Sequence, residues 1–280
     1  LNITPKIEEY LRKKIERVYS DEARTGIFEE DNPFLEMISD DLLETSVAVA
    51  NRWKEEFVVS ENQKTNDLVF IQFSKEGVDH FAFLRIALRE TLTHLGGEVD
   101  NPIKLTQNNL PGFGTGADEA LVINLQSRKY HLIEKRIKYN GTFLNYFSEN
   151  LLQAQPKISP KKSIKALEKT AQKIAESFNT DDFQFQSKVK SAIFNHIEEE
   201  NKLSPEKLAD DLFDDNLTAR LSFIDQVKEA VPEPVTFEEI DASRQLKKFE
   251  NQKLSLSNGI ELIVPNNVYE DAESVEFILN

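Results

Sequence analysis

The sequence predicts an α+β protein, with helices and antiparallel hairpins in its N-terminal part and a mainly helical C-terminal part ending in short strands. Three observations carry this. The runs "DLVFIQF" and "VDHFAFLRIAL", rich in aromatic and β-branched residues, flank a turn at Lys75-Glu76-Gly77, as a hairpin requires. Beyond residue 159, apolar residues recur at helical spacing behind Ser-Pro starts. The tail then returns to short strand-like runs around Asn258-Gly259, a strong turn signal.

In chain order, "TPKIEEYLRKKIERVYS" reads as a helix. Thr4 is placed to cap it, Pro5 takes its first position, and Ile7, Leu11, Ile15 and Val18 line one face. A second helix runs through "DLLETSVAVANRWKEEF", and the first hairpin follows. "THLGGEVDNPIKLTQNNLPGFGTG" is loop-like, holding five of the nine glycines. A second hairpin is expected from "ALVINLQ" and "KYHLIEKRIKY", turning at Ser127-Arg128. Ile133, Ile137 and Tyr139 would share one face of its second arm, and Glu134, Arg136 and Lys138 the other. "FLNYFSENLL" reads as a short helix and "QAQPKISP" as a linker. This divides the chain into a mixed α+β domain, 1–155, and a mainly helical domain, 156–280, whose terminal strands are expected to return to the first sheet. Ser159-Pro160 and Ser204-Pro205-Glu206 begin helices with the same capping chemistry, and "VPEPV" breaks the helical run.

No apolar run approaches the roughly 20 residues of a membrane span. The absence of cysteine excludes disulfides and thiolate catalysis, and makes the cytoplasm the default compartment. The balance is acidic, 34 Lys+Arg against 49 Asp+Glu, for a net charge of −15. Such a body repels nucleic acid at long range, because DNA affinity comes largely from cations that displace its counterions. The distribution matters more than the sum. Residues 120–175 hold 11 Lys+Arg and 3 Asp+Glu, whereas every flanking segment is acidic.

Within that segment "SPKKSIKALEKTAQK" predicts an amphipathic helix. Ile164, Leu167, Ala171, Ile174 and Phe178 fall on one face. Lys161, Lys165, Lys169 and Lys173 are spaced i, i+4 on another, with Lys162 beside them. Lysines so aligned repel by a few tenths of a kcal/mol per pair, and Glu168 is the lone acid among them. One reading is a solvated face balanced by an acidic neighbour. The other is an anion-binding surface for DNA or an acidic protein, joined by Arg128, Lys129, Lys135, Arg136 and Lys138.

Catalytic chemistry finds no set of residues. "GFGTG" precedes a strand instead of following one, so it reads as a flexible connection and not a phosphate loop. His80, His94, His131 and His196 show no metal-ligand spacing and read as structural. Metal-dependent nucleases often place Glu-x-Lys on a strand, but the sole example, Glu200-Asn201-Lys202, falls at an expected helix end. The acid pairs Asp210-Asp211 and Asp214-Asp215 lie around helix termini, where capping and solvation explain them. No enzyme activity, cofactor or metal is expected.

"NLPGFGTGADEALVINLQSRKYHLIEKRIKYNGTFLNYFSENLL" resembles the middle of the bacterial nucleoid-associated protein NdpA family. The shared pattern is a Leu110-Pro111 loop, Asp118-Glu119 before a strand, a hairpin through Tyr139, and Tyr146-Phe147-Ser148-Glu149 opening a helix. The tail "LKKFENQKLSLSNGIELIVPNNVYEDAESVEFILN" is similar to the family's closing strand, intervening segment and last strand. Members usually begin with a further strand-forming segment that this sequence lacks, and the chain begins at Leu1, so a fragment is expected. The resemblance implies association with the bacterial nucleoid in the cytoplasm and no catalytic motif. It leaves room for a protein partner that works on DNA, such as a type II topoisomerase. Two function classes follow: a non-enzymatic protein binding double-stranded DNA through its local basic surface, or an interaction module recruited to the nucleoid by such a partner.

Overall fold

The protein is described from a computed structural model, covering residues 3–60, 64–94, 103–179, 185–237, 243–255 and 260–269. It is α+β, as the sequence predicts. The chain divides into two compact units, Leu1–Tyr19 with Ala23–Lys157, and Ser20–Glu22 with Ile158–Asn280.

In unit 1, α1 (Pro5–Glu16) starts where Thr4 accepts a hydrogen bond from the Ile7 amide, and α2 (Leu42–Val58) starts on the Asp41 carboxylate. Between them lie β1 (Arg24–Ile27) and a 3₁₀ turn, Leu35–Met37. β2 (Asn66–Lys75) and β3 (Val78–Ala87) form the expected hairpin, with Glu76 and Gly77 both at positive φ. β6 (Glu119–Asn124) and β7 (Lys129–Ile133) complete an antiparallel sheet in the order β1-β7-β6-β3-β2. Both faces are covered. Phe81, Phe83, Leu121 and Ile123 meet Val49 of α2 and Phe147, while Ala82, Leu84, Ile86 and Val122 meet Ile15 of α1 and Val18. The central strands are therefore apolar on both sides instead of alternating. Gly26 admits no side chain, since a Cβ there would lie 2.4 Å from the hydroxyl oxygen of buried Tyr130.

Several expectations are corrected in this unit. The loop-like stretch supplies the end of β4 (Arg89–His94) and all of β5 (Ile103–Asn109), which pair antiparallel with contacts among Thr91, Thr93 and Thr106. The second arm of the second hairpin stops at Ile133. Glu134 does not point outward with Arg136 and Lys138; it turns inside, pairs with Arg24 and accepts hydrogen bonds from the Ser148 amide and hydroxyl. Ile137–Tyr139 instead forms β8, which pairs with β9 (Thr142–Leu144) across Asn140-Gly141. The "FLNYFSENLL" helix shrinks to a π turn, Phe147–Leu151. The "GFGTG" loop precedes β6, as read from the sequence. It closes around the buried Lys14 ammonium, which donates to the carbonyls of Gly112 (2.8 Å) and Thr115.

Unit 2 packs α3 (Pro160–Ser177), α4 (Phe185–Glu200), α5 (Pro205–Leu212) and α6 (Leu217–Ala230) around Phe213, Phe223 and Ile193. β10 (Lys202–Leu203) pairs with β11 (Val235–Thr236), and the run from α6 ends before Pro232 as expected. α7 (Ser243–Phe249) precedes β12 (Asn251–Ser255), β13 (Glu261–Pro265) and α8 (Asn266–Tyr269). β12 and β13 pair with each other and do not join the first sheet. Gln252 is tied instead to Asn266 (2.6 Å), which also accepts from Ser191 of α4. Ser159 and Ser204 occupy N-cap positions, but neither side chain caps its helix; the Ser204 hydroxyl donates to Glu206. The Asn258-Gly259 turn and the last strand lie outside the described residues.

Candidate nucleic-acid interface

α3 builds the site from its own sequence. Pro160 fixes the first helical residue, and Ile164, Leu167, Ala171 and Ile174 then fall on a buried face against the unit 2 core, with Phe178 half-buried beside them. The same periodicity delivers Lys162, Lys165, Lys169 and Lys173 to solvent. Lys161 stands apart. It is half-buried, its ammonium pairs with Glu22, and its amide donates to the Asp21 carbonyl (2.9 Å). Lys173 donates to the neutral side chain of Gln226 on α6 (3.0 Å). Among the described residues, Lys162, Lys165 and Lys169 form no ion pair.

Tertiary structure adds cations that the stripe itself does not contain. Burial pushes the Glu168 carboxyl above its ordinary range, and the ammonium groups of Lys190 on α4, Lys165 and Lys248 on α7 oppose that shift. Three helices thus bring positive charge to one half-buried acid. Sequence reasoning missed Lys190 and Lys248, which are separated from the stripe along the chain. Glu168 leaves a testable signature. A carboxyl whose folded pKa is raised costs stability as pH rises above its unfolded value near 4.5. Glu168→Gln is therefore expected to flatten the decline in stability above that pH, as followed by urea unfolding, and to leave a more positive surface.

The unit 1 cations are differently placed. Arg128, at φ 59°, pairs with Glu30 (2.9 Å). Lys135 pairs with Asp118 (3.0 Å), and Arg136 donates to the Phe143 carbonyl (2.5 Å). Lys129 in β7 and Lys138 in β8 make contacts of their own. The basic segment of the sequence is thus shared between two units, with its unpaired members on α3.

Four of the five acids considered for metal chemistry have ordinary partners. Asp210 meets Arg220 (2.8 Å), Asp211 meets His196 (2.7 Å), and Asp214 meets Lys188 (3.4 Å). Glu200 closes α4 and pairs with Lys207. Among the described residues, no group of three or more His, Asp or Glu side chains is arranged to hold a metal ion, and no helix is long and apolar enough to cross a membrane.

A model of the family described as nucleoid-associated protein YejK matches residues 1–280. The chain belongs to that family. The YejK/NdpA resemblance seen in the central segment and the tail therefore extends over the whole chain, and a nucleoid-associated role comes with it. No curated protein sequence matches the chain.

Proposed function

We propose that this YejK-family chain is a non-enzymatic protein of the bacterial nucleoid, in the cytoplasm, that contacts double-stranded DNA directly through the outer face of α3. The observation that carries the reading is the set of exposed lysines without ion pairs, Lys162, Lys165 and Lys169, continued by Lys173, on a helix whose opposite face is fixed in the core. Lysine ammonium groups at this spacing neutralise phosphates, which positions a protein on a duplex without reading its sequence. The paired cations of unit 1 are a poorer surface for this, since each must first give up its partner. The acidic remainder of the molecule repels polyanions and leaves a contact that salt easily dissolves.

The test is a salt titration of duplex binding. Changing Lys162, Lys165, Lys169 and Lys173 to Gln keeps side-chain length and helix propensity. Each phosphate neutralised contributes about 0.9 to the log–log salt slope, so the slope is expected to fall by roughly 3 to 4 units. Helical circular dichroism should be unchanged, because these positions face solvent. An unaltered slope in the folded variant would remove α3 from DNA contact. If the unmodified protein fails to bind at low salt, recruitment by a DNA-acting partner such as a type II topoisomerase replaces the direct reading.

A further inference from the structure

β2 forms one border of the five-stranded sheet, and among the described residues no strand or loop backbone bonds to its outer edge. It is ten residues long, pairs with β3 without a register shift, and from Leu68 to Phe73 carries no charge and no proline. Exposed edges that remain monomeric are normally blunted by bulges, prolines or central lysines. β2 has none of these devices along that stretch, although Leu68, Val69, Phe70, Ile71 and Phe73 are only half-buried.

The turn determines which backbone groups the edge offers. With Glu76 and Gly77 both at positive φ (55° and 79°), Lys75 and Val78 form a hydrogen-bonded pair, and such pairs then alternate along the ladder. The Leu88 amide donating to the Thr65 carbonyl, 2.9 Å, keeps the same parity. The backbone groups of Asp67, Val69, Ile71, Phe73 and Lys75 thus bond to β3, and those of Leu68, Phe70, Gln72 and Ser74 point outward.

We propose that β2 pairs antiparallel with β2 of a second copy of this chain, about a two-fold axis through Ile71. Only pairings of like parity keep the ladder regular, and among these the axis at Ile71 is self-complementary. It sets Asp67 opposite the second copy's Lys75, Val69 opposite its Phe73, and Ile71 opposite its Ile71. Both Asp67 and Lys75 are exposed, and the ammonium of Lys75 lies over the Tyr19 ring, 4.8 Å from its centroid. Moving the axis to Phe70 would place Asp67 against an apolar Phe73, and moving it to Gln72 would place Lys75 against Val69. On the face that carries Asp67, Val69, Ile71, Phe73 and Lys75, charge and apolar pattern therefore select one register, with an ion pair at each end of an apolar centre. A continuous sheet of ten strands results, and neither edge strand of the dimer is β2.

Sedimentation equilibrium of the full chain is expected to give twice its 32.1 kDa mass. Gln72→Pro removes an amide that points outward, so it should leave the β2–β3 ladder and the circular dichroism intact while yielding monomer. Asp67→Lys or Lys75→Asp alone sets like charges opposite one another and should weaken the dimer roughly tenfold. Combining the two exchanges should restore it, which a merely structural effect would not do. A monomeric parent protein, a dimer indifferent to Gln72→Pro, or failure of the combined exchange to recover affinity would each overturn the proposal.

Discussion

Arg85→Met is expected to lower the stability of unit 1 by about 3–5 kcal/mol, measured as a shift of the urea midpoint. Arg85 and Glu119 are both almost completely withdrawn from solvent. The Arg85 Nε donates to Glu119 Oε2 at 2.6 Å, and a guanidinium nitrogen donates to Asn66 (2.6 Å). The Tyr146 hydroxyl donates to the same carboxylate oxygen at 2.5 Å and accepts from the Trp53 indole at 3.1 Å. Burial already pushes the Glu119 carboxyl above its ordinary range, and the guanidinium is the main force opposing it. Without that cation the carboxyl takes up a proton on folding. A carboxyl with a raised folded pKa loses stability as pH climbs above the unfolded value near 4.5, so the deficit should be smallest in acid and grow toward neutrality. Adding Glu119→Leu should recover most of it, because the buried charge is then gone. A deficit below about 1 kcal/mol, or one indifferent to pH, would show that the pair is not the anchor its geometry indicates.

Phe223→Ala is expected to cost unit 2 about 3–5 kcal/mol, followed by the helical signal in urea. Phe223 lies on α6, is fully buried, and stands 5.8 Å from the Phe213 ring centroid in the cluster that also receives Ile164, Leu167 and Ile174 of α3. The cavity loosens the surface that holds α3 in place, so duplex binding should weaken although every lysine remains. The lysine-to-glutamine variant makes the opposite combination: lost binding with unchanged stability. A Phe223→Ala protein of parental stability would mean that the core closes over the gap.

α3 was legible because both its faces are written at one helical period, and the β2–β3 hairpin because its turn and strands agree. The β8–β9 hairpin carried an equally plain signal, Asn140-Gly141, but an alternating run through residues 133–139 concealed it. That alternation is broken in space by Glu134, whose partners Arg24 and Ser148 lie far along the chain or beyond the turn. The contacts of the glycine-rich loop were similarly opaque, since they are made by Lys14, which helical periodicity alone cannot show to be buried.

By itself the sequence determined the α+β class, the inward and outward faces of α3, and the confinement of excess positive charge to residues 120–175. These depend on period, turn chemistry and composition, which act over a few neighbouring residues. Only the tertiary structure decided which cations remain available. Arg128, Lys135 and Lys161 are matched by Glu30, Asp118 and Glu22, whereas Lys162, Lys165 and Lys169 meet no acid among the described residues. An ion pair is a matter of a few ångströms between atoms, and sequence separation does not encode that distance.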